Sequence, residues 1–216
     1  MKPTLDWYFD FVSPFSYFQS TRLERIEEHA AVSARPILFA AVLTHWGTLG
    51  PAELPSKRIW TFEHCAWIAH RHQIPLSLPA QHPFNPLPLL RLALAHGEGG
   101  VVPVALVVRL FRFVWVEGHL PSEAPAWAAL LAELDTAPEA IETPPVKQAL
   151  RDNGQRAIDA GVFGVPTAVI DGHNFWGFDA TEMLEAYLQD DAFFSGDLLI
   201  AARQLPPGVE RPRAPK

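Results

Sequence analysis

The 216-residue chain holds a single cysteine, Cys65, and no Cys-x-x-Cys pair. It therefore has no internal disulfide to form, and no metal-ligand spacing surrounds Cys65, which excludes both dithiol redox chemistry and a cysteine-built zinc site. Cys65 is expected to pack as a small hydrophobe. Positive charge is also scarce: 17 Lys and Arg stand against 24 Asp and Glu, a formal net charge of -7, with no basic stripe along any segment. That balance argues against a phosphate backbone as partner, so no nucleic acid is expected. Long apolar runs are missing as well. The longest, near VVPVALVV, is far too short to span a bilayer, and Asp6 and Asp10 interrupt the start MKPTLDWYFDF where a secretory segment would stay apolar. A cytoplasmic location without a membrane partner is the expectation. His70 and His72, two apart on an expected helix, cannot face one site, so no metal is expected either.

What is abundant is core material. Hydrophobic residues make up 49% and charged residues 19%, with 7 Trp and 14 Phe, the composition of a soluble globular protein. At ~100–200 residues per domain, the length fits one domain carrying a large insertion. Leu5, Trp7, Phe9 and Phe11 alternate with Asp6, Tyr8 and Asp10, a period of two that predicts a strand. Ser13 then suits an N-cap and Pro14 a first helical position, and a helix is expected through FSYFQSTRLERIEEHA. RPILFAAVL, from Arg35, reads as a second strand, so the opening is a β-α-β unit with parallel pairing.

From about Trp46 to about Arg156 the text reads as helices separated by Pro-rich breaks. A helix in PPVKQALRDNGQRAIDAG stops at Gly161. TAVIDGHNFWG follows as a hairpin turning at Asp171-Gly172, then a helix from Thr181 to near Gln189 and another after it. The Pro-rich end, 206–216, reads as a disordered tail. The fold class is thus α/β. Its order is that of a thioredoxin-like fold with a helical domain inserted after the second strand: 1–42 and 157–205 form the first unit and 43–156 the insertion.

Three short motifs in this order, YFDFVSPFSY, GVFGVPT and FWGFD, resemble those of the 2-hydroxychromene-2-carboxylate isomerase and kappa-class glutathione transferase family. That family is similar in fold to the disulfide oxidoreductases but has Ser where they have the reactive Cys. The resemblance runs from about Asp6 to about Leu205. It implies that glutathione is the cofactor and supplies the thiol, and that Ser13, at the end of the first strand, is the catalytic residue and stabilises the glutathione thiolate. A hydroxyl just before a helix is suited to this, because a helix N-terminus favours negative charge. Ser-Pro is also an ordinary helix start, so on the residues alone a plain cap remains open. Ser16 reads as a first-turn residue. The resemblance further implies a cis Pro166 that leaves the backbone of Val165 free to pair with the tripeptide, and a cofactor-binding role for Trp176, Gly177, Phe178 and Asp179. Asp179 would hold the γ-glutamyl end. Phe178 departs from the polar residue usual in the family.

For the second substrate, His82 in PAQHPFNPLPLL falls where the isomerases place substrate-contacting side chains. Asn85, before Pro86, reads as a cap with a possible substrate contact. Lys57 and Arg58 open a helix, an unfavourable place for cations unless an anion lies near, and Lys57 is the candidate there. His45 is the polar group following the second strand. The implied activity is a glutathione-dependent isomerisation of an aromatic-derived oxo acid, in aromatic catabolism. Alternatives are a kappa-class-like transferase and a non-catalytic thioredoxin-like module that binds an extended peptide. A homodimer is expected from the Trp and Phe content.

Overall fold

The computed structural model describes residues 2–208, so most of the expected tail, from 209 onward, lies outside the described residues. Strand β1 (Thr4–Phe9) leads into helix α1 (Pro14–Ser20) and helix α2 (Leu23–Glu27), then strand β2 (Ala31–Pro36). Helices α3 (Phe39–Trp46), α4 (Pro55–His72), α5 (Leu87–Ala95), α6 (Val104–Trp115), α7 (Ala124–Glu133) and α8 (Pro144–Asp159) follow. The chain returns to the sheet with β3 (Thr167–Ile170) and β4 (His173–Trp176), and α9 (Thr181–Leu188) and α10 (Asp197–Arg203) close it. The sheet order is β2-β1-β3-β4, with β1 and β2 parallel and the other neighbours antiparallel. No helix among the described residues is long and apolar enough to cross a membrane.

Two sequence expectations change. The helix read through FSYFQSTRLERIEEHA is two helices, because the carbonyls of Phe18 and Gln19 turn the chain at Thr21 and Arg22. The strand read from Arg35 ends at Pro36, and FAAVLTHW is helix α3. Ile37 still donates to the Phe9 carbonyl at 2.9 Å, but two residues on, the Phe39 N–H meets the carboxylate of Asp10 at 2.9 Å. That contact satisfies one of the free N–H groups at the start of α3, a local cap supplied from 29 residues away. The hairpin is as expected: Asp171 and Gly172 have φ of 48° and 76°, the left-handed pair that a two-residue turn requires.

The alternation in β1 sorts its side chains onto two faces. Leu5, Trp7 and Phe9, with Phe11 beyond the strand, join Phe18, Phe111 and Trp115 in the main core. Their rings interleave, Trp7 stacking on Phe9 at 4.5 Å and Phe11 meeting Phe111 at 4.8 Å. On the other face Tyr8 packs with Ile37, Val42, Ala157, Val162 and Val165 beneath α3 and α8. Both faces are covered, so Tyr8 and Asp10 are as buried as their apolar neighbours. The 42/43 and 156/157 boundaries fall inside α3 and α8. Phe111 of α6 also shares a core with Trp7 of β1, so the division into a sheet unit and an inserted unit describes chain order rather than separate cores.

Candidate active site

The end of β1 makes a tight bend. Asp10 is wholly buried and its carboxylate accepts from the N–H groups of Val12, at 3.0 Å, and Phe39. Its backbone carbonyl accepts from Ser13 N–H at 3.0 Å. Burial pushes the Asp10 pKa up to about 7, against the pull of the two N–H donors. The bend is further fixed by Trp115, whose indole N–H donates to the Phe11 carbonyl at 2.9 Å.

Ser13 caps α1 from extended backbone and accepts the Ser16 N–H at 3.2 Å. The capping expectation for Ser13 is met, and Ser16 lies buried within the helix, its hydroxyl unpartnered among the described residues. The Ser13 hydroxyl also faces the Val165 carbonyl at 3.4 Å. The Val165-Pro166 peptide is cis. The resemblance implied a free Val165 backbone; the carbonyl instead faces the Ser13 hydroxyl, while the N–H has no backbone partner among the described residues.

Ser13 and Val165 share the wall of a cavity of about 520 Å³ with His82, Arg58, Phe39 and Phe62. Asp10 and much of α3, with the loop after it, complete that wall. His82 turns Nε2 to the Val12 carbonyl at 2.8 Å. A carbonyl only accepts, so this bond fixes a proton on Nε2. Burial lowers the His82 pKa, which favours the neutral ring.

The FWGFD loop is fastened to this region without lining the cavity. Gly177 donates to the Pro166 carbonyl at 2.9 Å, and Gln19 of α1 donates to the Gly177 carbonyl at 3.1 Å and to Thr181. Gly177 has φ of 95°, a backbone conformation that L side chains rarely adopt and that suits glycine. Trp176 lies on Gly164 and meets Phe163 edge-on at 4.9 Å. Phe178 points inward to Phe18 and His72, at 5.7 and 5.4 Å, and Asp179 is exposed. Trp46, at the end of α3, reaches the same region, its indole N–H donating to the Val162 carbonyl at 2.8 Å.

Three of the proposed substrate residues are off the cavity wall. Lys57 and Arg58 are both exposed on α4, and of the two Arg58 alone lines the cavity. Asn85 uses its Oδ1 to accept from Leu87 N–H at 3.1 Å, an Asx turn; the N-cap is Pro86, one residue later than the sequence reading placed it. His45 lies exposed against Trp46. Reasoning from the sequence missed Asp10 as a wall residue and the contribution of α3, because both depend on a face covered by distant helices. Cys65 is buried, its thiol pKa pushed up to about 12 by desolvation, as expected of an inert core residue.

A profile of the DSBA-like thioredoxin domain matches residues 4–189. The 2-hydroxychromene-2-carboxylate isomerase of Sphingobium xenophagum is 27% identical over 199 residues, covering 88% of this chain and all of that protein. Human glutathione S-transferase kappa 1 is 25% identical, over 84% of this chain and 88% of its own length. A solved structure of 2-hydroxychromene-2-carboxylate isomerase superposes with a TM-score of 0.72 at 27% identity, covering 90% of this chain and 98% of that one. The fold is thioredoxin-like, and the chain is similar to both families that its motifs brought together.

Proposed function

The chain belongs to the DSBA-like thioredoxin domain family, and within it we propose that this protein is a glutathione-dependent isomerase of an aromatic-derived oxo acid, similar to 2-hydroxychromene-2-carboxylate isomerase. One observation carries the reading. A serine hydroxyl, where a disulfide oxidoreductase needs a thiol, shares a cavity wall with Val165, whose backbone N–H has no partner among the described residues. The pair fits a thiol-bearing peptide: the N–H of Val165 would take one of its carbonyls, and the Ser13 hydroxyl would turn from the Val165 carbonyl, 3.4 Å away, to donate to its sulfur. Glutathione, when bound, would supply the thiolate that adds to an electrophilic carbon of the substrate and is regenerated when it leaves.

The chain's own residues supply placement and field. Ser13 holds negative charge at one point, and Asp10 fixes the bend that presents it. The neutral His82 holds the Val12 carbonyl beside it. Ser13 is itself nearly buried and much of the wall is apolar, so its hydroxyl acts at lowered dielectric and the reactants are held together. Trp176, Gly177, Phe178 and Asp179 stand as a loop tied to Pro166. Within it Asp179, being exposed, is the group available for the γ-glutamyl end, and the inward Phe178 contributes backbone alone. The reaction belongs to aromatic catabolism, in the cytoplasm. The homodimer expected from the composition is tested by sedimentation, a monomer mass sinking it.

Calorimetric titration tests the site directly. Wild type should bind glutathione with proton release near neutral pH, and the release should vanish with S-methylglutathione and in Ser13→Ala. Turnover of 2-hydroxychromene-2-carboxylate should fall by about 100-fold or more in that variant, the cost of losing one preorganised donor. Absence of glutathione binding to wild type would favour the peptide-binding module, and a product that retains glutathione would make the protein a transferase.

A further inference from the structure

Among the described residues one Lys or Arg side chain lines the cavity, Arg58 of α4. It forms no ion pair with any described carboxylate. Glu53, on the same wall, instead takes the Gly50 N–H, and Asp10 is committed to Val12 and Phe39. The side chain is exposed, and its guanidinium rests against two neighbours. Its Nε and Nη2 reach the His82 carbonyl at 3.4 and 3.3 Å, and its carbon lies 5.6 Å from the centre of the Phe62 ring. Phe62 meets the His82 ring edge-on at 5.0 Å, and His82 grips the carbonyl of Val12, the residue before Ser13. A chain of contacts thus links this exposed cation to the residue before the serine, with Nη1 left over.

An arginine fork so braced, facing an apolar and aromatic wall, is matched by a planar ligand carrying a carboxylate. We propose that Arg58 is a specificity-determining residue that holds the carboxylate of an aryl-derived substrate, and that the adjacent Lys57 takes no part. The assignment rests on the reading that the cavity receives an aromatic-derived oxo acid.

The test is fluorescence titration with coumarin-3-carboxylate and with its methyl ester, for wild type, Arg58→Gln, Arg58→Lys and Lys57→Gln. Wild type and Lys57→Gln should prefer the carboxylate by about tenfold, a charge-assisted contact. Arg58→Gln should bind both probes alike, and Arg58→Lys should retain part of the preference. Equal affinities in wild type, a preference that survives Arg58→Gln, or binding of neither probe would overturn the assignment. Glutathione calorimetry on the same samples separates it from the function it rests on. A preference that depends on Arg58 without glutathione binding sinks the isomerase reading and leaves Arg58 in place. Intact glutathione binding with proton release, and no such preference, does the reverse.

Discussion

At the scale of single residues, two titrating groups on the cavity wall pull stability in opposite directions. Burial raises the Asp10 pKa from 3.8 to about 7, so the folded protein binds that proton more tightly than the unfolded chain. Its contribution is complete below about pH 4 and is lost as pH rises through about 7. His82 is held below its ordinary 6.5 by burial, so its contribution is present above that pH and is lost as pH falls through the lowered value. Denaturant unfolding of wild type against Asp10→Asn and His82→Gln separates the two. The Asp10 variant should lose a slope of up to about 1.4 kcal/mol per pH unit between about pH 4 and 7, whatever its absolute stability. An unchanged slope would mean that Asp10 is not a titrating group there.

At the scale of elements, the turn from β2 to α3 explains what could and could not be read in advance. Pro36 ends the strand, and its carbonyl is taken by Asn153 Nδ2 of α8 at 3.1 Å, which also donates to the Gly100 carbonyl at 2.8 Å. On the other side of the turn, the Phe39 N–H is taken by Asp10. Both groups find partners far along the chain, so no window of sequence signals the turn and FAAVL reads as strand. By contrast, Ser13-Pro14, Asp171-Gly172 and Gly161 carry their own geometry, and the elements they bound were legible. Arg58 and Lys57 show the same limit in the site: adjacent cations at a helix start are alike in sequence, and only the wall of α3 and the His82 carbonyl distinguish them. Asn153→Ala should lower unfolding free energy by roughly 1–3 kcal/mol, since two carbonyls lose their donor. A thermal or denaturant titration showing no change would mean water replaces the amide.

At the scale of the molecule, the inserted helices and the sheet depend on one another. Phe111 of α6 contacts Trp7, Phe9 and Phe11 at ring distances of 6.4, 5.7 and 4.8 Å, so the aromatic centre of the protein lies between the sheet and the inserted helices. Phe111→Ala should cost about 3–5 kcal/mol. Circular dichroism and tryptophan fluorescence should lose their signals together in one transition. Separate transitions would show that the helical segment folds as its own unit.

Trp46 links α3, which walls the cavity, to the Val162 carbonyl in the segment that carries Val165. The indole stands on one side of the site and is anchored to the other, with 42% of the residue exposed. The hydrogen bond and the partial exposure make the polarity around that ring dependent on where the two sides stand. A ligand that changes the spacing of α3 and the Val165 segment should therefore shift the emission of Trp46, and Trp46→Phe should remove that shift from the signal of the seven Trp.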